Sequence, residues 1–260
     1  MSELIVRREG AVGWILFSNP AKFNAMSYDM WRALPEQLSA FESDETVRAI
    51  VLAGDGEKAF VSGADISQFE KNRATADAQA TYNRAVDEAY FAPVRCSKPV
   101  IAAIRGICMG GGLGLASSCD VRIAADDARF RMPAARMGLG YGFSGLKRLV
   151  SLIGPENTSD IFFSARTFDA ADAIRMGFVS RVVPAAELHQ QAQAYAELVA
   201  ENAPLTISAA KRAIVEALKD EGERDLDSVT DAIAACFASG DFREGRTAFM
   251  EKRKPQFKGR

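Results

Sequence analysis

Histidine is nearly absent from this 260-residue chain: His189 is the only one. It sits in a polar helical stretch, ELHQQAQAY, far along the chain from any glycine turn. Ser-His-Asp and Cys-His machineries therefore have no candidate base, and a His-rich metal site is excluded. The four cysteines, Cys96, Cys108, Cys119 and Cys236, show no paired metal spacing and no secretory context. They read as reduced, mostly buried small apolar residues. Cys108 is close enough to a glycine cluster to line a site, but a nucleophile there would want a nearby base. No apolar run approaches the roughly 20 residues a membrane helix needs, and MSELIVRREG lacks the basic-then-apolar layout of a signal peptide. The expectation is a soluble, cytoplasmic protein. Net charge is −2, with acids and bases interspersed, which leaves no electrostatic footprint for nucleic acid or an anionic membrane.

What the chain does have is glycine at strand ends. Lys98 to Asp120, KPVIAAIRGICMGGGLGLASSCD, starts as a buried-strand run and turns at Gly106. It then meets Gly110, Gly111 and Gly112 just where an apolar helix, Leu113 to Ser118, begins. The first N–H groups of a helix have no partner within it and carry the positive end of its dipole, so they suit an anion or a developing oxyanion. Glycine there lets a ligand approach the backbone closely. The spacing is neither G-x-G-x-x-G nor G-x-x-x-x-G-K-[ST], so dinucleotide and P-loop readings fail. A second stretch, Ala59 to Ile66 (AFVSGADI), is another strand end running through a glycine into a helix start.

Taken in order, Leu4–Val6 and Val12–Phe17 form a hairpin, and Met30, Leu34, Leu38 and Phe41 mark an amphipathic helix after an N-cap at Ser27. Strand, strand and helix then recur at Val47, at Val100 and at Val121, the last with a helix from about Ser144 to Ile153. The second unit's long helix ends before Pro93. A period of roughly 40 to 50 residues argues for a stacked spiral rather than one open sheet. Glu70 to Ala80, with Asn72-Arg73-Ala74-Thr75, reads as a mobile loop. From Ala185 the pattern is helical: Glu187 to Asn202, Leu205 to Lys219, Leu226 to Phe237 and Phe242 to Lys252. With 48% apolar residues the chain suits one large α/β domain, or one domain plus an appendage. The division expected is a ββα spiral over 1–200 and a helical region over 201–260.

Together KAFVSGADI and KPVIAAIRGICMGGGLGLASSCD resemble the paired signatures of the crotonase superfamily, the enoyl-CoA hydratase/isomerase family. The likeness continues in Ala128-Arg129-Phe130, in the run GFVSRVV from Gly177 and in FMEKRKPQF. The resemblance implies a crotonase-like spiral of ββα units that assembles as trimers, often paired into hexamers. It also implies an acyl-CoA thioester as substrate with no further cofactor. By motif position, the amides of Ala64 and Gly111 would hold the thioester oxygen. Ala64, Asp65, Ile66 and Ser67 would run along the CoA arm, with Lys252 near its adenosine end, and the stretch from Glu70 would lie over the acyl pocket.

In the family's hydratases, two glutamates handle the water. Here their positions are Gly114 and Ala134, and a third acidic position used by other members falls on Gly142. Water addition and 1,3-proton shuttling each need a positioned base. Tyr141 matches the tyrosine of the family's methylmalonyl-CoA decarboxylases, and decarboxylation of a malonyl-type thioester needs no carboxylate base; Arg131 and Arg136 are possible partners for a substrate carboxylate. The reading is a lyase acting through an oxyanion hole, decarboxylase-like, with Tyr141 in the site. The alternatives are enoyl-CoA hydratase itself or an inactive CoA-thioester-binding protein.

Overall fold

Strand runs that are apolar at every position belong in a sheet covered on both faces, and here each face meets its own set of helices. The computed structural model describes residues 2–68 and 75–260. Strands β1 (Glu3–Glu9) and β2 (Val12–Ser18) form the antiparallel hairpin. Strands β3 (Ala49–Gly54), β5 (Val100–Ile104), β7 (Val121–Ala125) and β10 (Arg181–Val183) extend it in parallel, in the order β1-β2-β3-β5-β7-β10. The alternate strands build a second sheet, with β4 (Ala59–Val61), β6 (Ile107–Met109) and β8 (Arg129–Arg131) parallel and β9 (Thr167–Asp169) antiparallel at its edge. From β3 to β8 each turn of the chain thus gives one strand to each sheet before a helix follows, which is the expected crotonase-like spiral.

Period-two alternation divides the larger sheet. Ile15, Phe17, Ile50, Leu52, Ala102 and Ile104 join the core shared with Trp31, Leu34 and Leu38 of α1 (Tyr28–Ser43). Trp14, Leu16, Val51, Ala53, Ile101 and Ala103 face Leu188, Ala192 and Ala196 of another helix, Leu188–Ala200. His189, on that second helix, packs edge-on to Trp14 at 4.4 Å and meets Glu9 at 3.3 Å. It therefore lies against the opposite face of the sheet from α1.

Helix α2 (Ala76–Arg95) does not stop before Pro93 but runs through it. Proline costs a helix one N–H and a clash with the preceding turn; here it falls in the final turn, where the Cys96 amide still reaches the Ala92 carbonyl at 3.0 Å. Helix α3 (Gly111–Ser118) begins two residues earlier than the apolar pattern suggests, and α4 runs Phe143–Ser164. The expected end of α4 near Ile153 survives as a break within it, since Gly154 stands at φ 76°, ψ 166° and Pro155 restarts the helix. Then come α5 (Ala170–Arg175), α6 (Leu188–Ala200), α7 (Pro204–Ala217), α8 (Leu226–Ala238) and α9 (Gly240–Glu251). Helix α7 is tied to the spiral by Lys211, whose buried ammonium donates to the carbonyls of Pro93 (2.8 Å) and Lys98 (2.9 Å) and to Asp120 Oδ2 (2.7 Å). Residues 70–74 of the expected mobile loop lie outside the described residues; its other end, expected to reach Ala80, is already helix from Ala76, where Thr75 caps α2 by accepting from the Ala78 amide. No helix among the described residues is long and apolar enough to cross a membrane.

Candidate active site at three aligned strand ends

Because β4, β6 and β8 pair in parallel, the turns that follow them emerge at one end of the smaller sheet. Those turns are Ser62-Gly63-Ala64, Gly110-Gly111-Gly112 and Met132-Pro133-Ala134, which lie far apart in sequence. The Gly110 amide donates to the Arg131 carbonyl at 2.9 Å and so locks the second turn to the third. The first turn is strapped to the segment before α1: the Met26 amide donates to Gly63 O (2.8 Å) and the Asp65 amide to Met26 O (2.9 Å). In this parallel bridge the residues flanking Ala64 do the bonding, so the N–H of Ala64 itself faces away from Met26. It faces Gly111: a Cβ built on Gly111 would stand 3.6 Å from Ala64 N, and one built on Gly63 would stand 3.8 Å from Gly111 N. The Gly111 amide is the first of α3 and has no acceptor within the helix. Two backbone amides from separate motifs are thus brought close together, and two such donors aimed at one atom are what a developing oxyanion needs.

Asp65, Ile66 and Ser67 continue from the first turn into a short 3-10 helix, Ile66–Gln68, with Ile66 and Ser67 exposed. Asp65 is buried and organises this corner. It accepts from the Ser67 amide (3.1 Å) and hydroxyl (2.7 Å) and from Lys22 Nζ (2.7 Å), which also reaches Ser67 Oγ at 2.7 Å. Burial pushes the Asp65 carboxyl up, but Lys22 and Ser67 together outweigh it and hold it below the ordinary range. A depressed folded-state pKa stabilises above the unfolded aspartate value, near 3.9, and that contribution fades as acid titrates the folded carboxylate below it. Removing the cation in Lys22→Met should let burial dominate, raising the Asp65 pKa and moving the acid unfolding midpoint to higher pH. Side-chain carboxyl NMR titration checks this; an unchanged Asp65 pKa would mean that Ser67 alone holds the charge. Lys252 sits exposed at the left-handed cap of α9. Among the described residues no hydrogen bond or ion pair joins it to the two turns.

Gly114 and Ala134, where the resemblance implies glutamates in hydratases, lie beside the glycine turns, and the space next to Gly114 is filled by an aromatic residue. A Cβ on Gly114 would stand 2.7 Å from both Cζ and Oη of Tyr90, on α2. The Tyr90 hydroxyl lies 3.4 Å from the Gly111 carbonyl, and its ring meets Trp31 edge-on at 5.6 Å. Trp31 in turn lies 3.1 Å from where a Gly111 Cβ would be. Ala134 is buried at the third turn, while a side chain on Gly142 would meet open space. Tyr141 packs edge-on to Phe162 at 5.1 Å. Burial pushes its phenol up to about 12 and Tyr90 well above its ordinary value, so both are neutral donors near pH 7. The Tyr90 hydroxyl is near enough to ease the ionisation of Tyr141. Even so, the pair do not meet in hydrogen-bonding geometry: among the described residues, the buried side-chain polar atoms without a partner are Trp31 Nε1 and Tyr141 Oη. Buried polar groups are normally paired, and both of these belong to elements that wall the site.

Tyr90, Gly114 and Tyr141 line a cavity of about 790 Å³ that extends between α2, α4 and α7, with Phe91, Val94 and Val215 on its apolar wall. Asp87, one helical turn before Tyr90, also lines it; burial and the neighbouring Glu88 raise its carboxyl pKa. Arg131 Nε donates to the Ala165 carbonyl at 2.7 Å, and Arg136 is exposed on the short 3-10 helix Ala134–Met137. Complete burial raises the Cys108 thiol well above its usual value, which suits packing and not nucleophilic attack. Among the described residues no three His, Cys, Asp or Glu side chains converge on a metal-sized site. The sequence reading missed Tyr90, Trp31, Asp87 and Lys22. The only local signal was that α2 carries Tyr82 and Tyr90 on a helix that must cover the glycine turns.

Comparison with known proteins agrees with this geometry. The family described as enoyl-CoA hydratase/isomerase matches residues 7–260. The short-chain-enoyl-CoA hydratase of Clostridium acetobutylicum is 34% identical, covering 100% of this chain and 99% of its own. The 2,3-dehydroadipyl-CoA hydratase of Escherichia coli is 32% identical over 100% of both chains. The crystal structure of an enoyl-CoA hydratase/carnithine racemase from Magnetospirillum magneticum superposes with a TM-score of 0.93 at 32% identity, covering 100% of this chain and 97% of that one. With paired glycine turns at aligned strand ends, a ββα spiral and a match along almost its whole length, the chain belongs to the enoyl-CoA hydratase/isomerase family, the crotonase superfamily.

Proposed function

We propose that this acyl-CoA enzyme holds its thioester oxygen on the amides of Ala64 and Gly111, and that its reaction passes through the resulting enolate without the two hydratase glutamates. Decarboxylation of a malonyl-type thioester fits best. The carboxylate leaves as CO₂, its bonding electrons pass into the enolate, and no base is required; a carboxylate at the position of Gly114 would repel the leaving group. One observation carries this reading: the place beside Gly114 is occupied by the neutral phenol of Tyr90. Tyr141, with its buried hydroxyl unpaired, would orient the departing carboxylate. Asp65, Ile66 and Ser67 would follow the CoA arm, steadied by Lys22. Lys252 would meet the adenosine end in an assembled trimer or pair of trimers. The exposed Leu226, Phe237, Phe249 and Met250 on α8 and α9 supply apolar surface for that assembly.

The second reading is hydration of a short enoyl-CoA. The relatives' names favour it, and Asp87 on the cavity wall is the carboxylate it would draw on. The two readings separate in one pair of assays, crotonyl-CoA hydration and CO₂ release from malonyl- and methylmalonyl-CoA. General acid and base groups are each worth roughly 10²–10⁴-fold, so wild-type hydration should fall short of a two-glutamate relative by orders of magnitude. CO₂ release should slow in Tyr141→Phe while CoA-thioester affinity stays. Fast hydration that collapses in Asp87→Asn would replace decarboxylation with the second reading.

A further inference from the structure

We infer that Tyr90 is a catalytic residue of this site, the proton donor to the α-carbon of the thioester enolate. This rests on the part of the functional reading that places an enolate on Ala64 and Gly111, and not on which reaction generates it. Three contacts carry it. The phenol stands against Gly114, where a side chain from α3 would begin, so it occupies the wall from which the relatives' acid–base chemistry would come. Its hydroxyl is 3.4 Å from the carbonyl of Gly111, so the phenol is tied to the first residue of α3, whose amide is proposed to hold the thioester oxygen. The ring is fixed by Trp31 edge-on at 5.6 Å, which limits the hydroxyl to one side of the cavity. At 3.4 Å, the limit of hydrogen-bond length, its contact with the Gly111 carbonyl holds the proton only loosely.

The step balances without any added group. In decarboxylation the bond from Cα to the carboxylate breaks, CO₂ leaves, and the electron pair remains as the enolate on the two amides. The Tyr90 O–H bond then breaks as the new Cα–H bond forms, and the phenolate takes a proton back from water. A thioester enolate is a stronger base than a phenolate, so even a phenol of raised pKa donates downhill.

The test uses the full-length protein and Tyr90→Phe, which keeps the ring. In D₂O with methylmalonyl-CoA, wild type should give propionyl-CoA carrying deuterium with one handedness at the α-carbon. Tyr90→Phe should lower kcat about 10²–10⁴-fold, leave propionyl-CoA affinity within about twofold, and incorporate deuterium without handedness. A merely structural role would not scramble the label. If wild type releases no CO₂, the decarboxylase reading falls, and exchange of the α-protons of butyryl-CoA in D₂O, followed by NMR, tests Tyr90 alone. Exchange by wild type that is lost in Tyr90→Phe supports the assignment; exchange that is absent in wild type, or unchanged in the variant, overturns it. Should Tyr90→Phe fold poorly, 3-fluorotyrosine at position 90 keeps the hydroxyl but makes it more acidic. Its kcat should change with KM held, and an unaltered kcat would equally overturn the assignment.

Discussion

Gly112→Ala should unfold this protein more readily by about 3 kcal/mol and should abolish acyl-CoA binding, although alanine is the better helix former. The two effects oppose each other, and their sizes decide the outcome. Inside a helix the exchange gains about 1 kcal/mol from propensity. Here the new methyl would sit 2.1 Å from the Val61 carbonyl oxygen and 2.9 Å from its carbonyl carbon. Those are backbone atoms of β4, with no rotamer to escape into, so α3 must move off the strand and carry the Gly111 amide away from Ala64. Urea unfolding and calorimetric titration with a CoA thioester check both halves. A variant as stable as wild type that still bound the thioester tightly would show that the two turns are not held by this contact.

Restoring the glutamates should fail or succeed according to Tyr90. In Gly114→Glu the first side-chain atom would stand 2.7 Å from the phenol, an overpacking worth about 1–3 kcal/mol, with the charge buried against aromatic rings. Adding Tyr90→Ala removes the obstruction, and adding Ala134→Glu supplies the second group. The triple variant should hydrate crotonyl-CoA at least about 10²-fold faster than wild type, read as loss of the enoyl thioester absorbance. Gly114→Glu alone should gain nothing, a strong non-additivity between residues in contact. Equal gains with and without Tyr90→Ala would mean that the phenol does not occupy the glutamate's place.

Local features were legible in the sequence and long-range ones were not. The glycine turns could be read because a strand end, a glycine and a helix start are contiguous, and that the two share one site came from the family resemblance. Gly114 and Ala134 could be read as missing carboxylates by position, but nothing adjacent to Gly114 says what fills the gap. Tyr90 comes from the far end of α2, reached across residues 69–74, and shares its helix with Tyr82, so spacing does not distinguish a site residue from a packing one. Trp31 lies in the same apolar stripe as Leu34 and Leu38 and reads as core. Only its position against Gly111 and its unpaired Nε1 set it apart. Lys22 gives no signal in the sequence because its partner, Asp65, is in a different structural unit.

The clasp made by Lys211 bears on the order in which the chain can finish folding. Its three partners, at Pro93, Lys98 and Asp120, precede it by 118, 113 and 91 positions. Domains form from the N-terminus during synthesis, so the strands that carry both glycine turns leave the ribosome well before α7 does. Until Lys211 arrives, the carbonyls of Pro93 and Lys98 must be satisfied by water and the Asp120 carboxylate has the Val100 amide but no cation, which keeps the seam between α2 and the start of β5 open on the side of the cavity. Contacts this distant in sequence close slowly, because the loop entropy is lost before any contact forms. The cavity wall is therefore among the last parts of the molecule to set, and a nascent chain displays its glycine turns before it has a pocket to go with them.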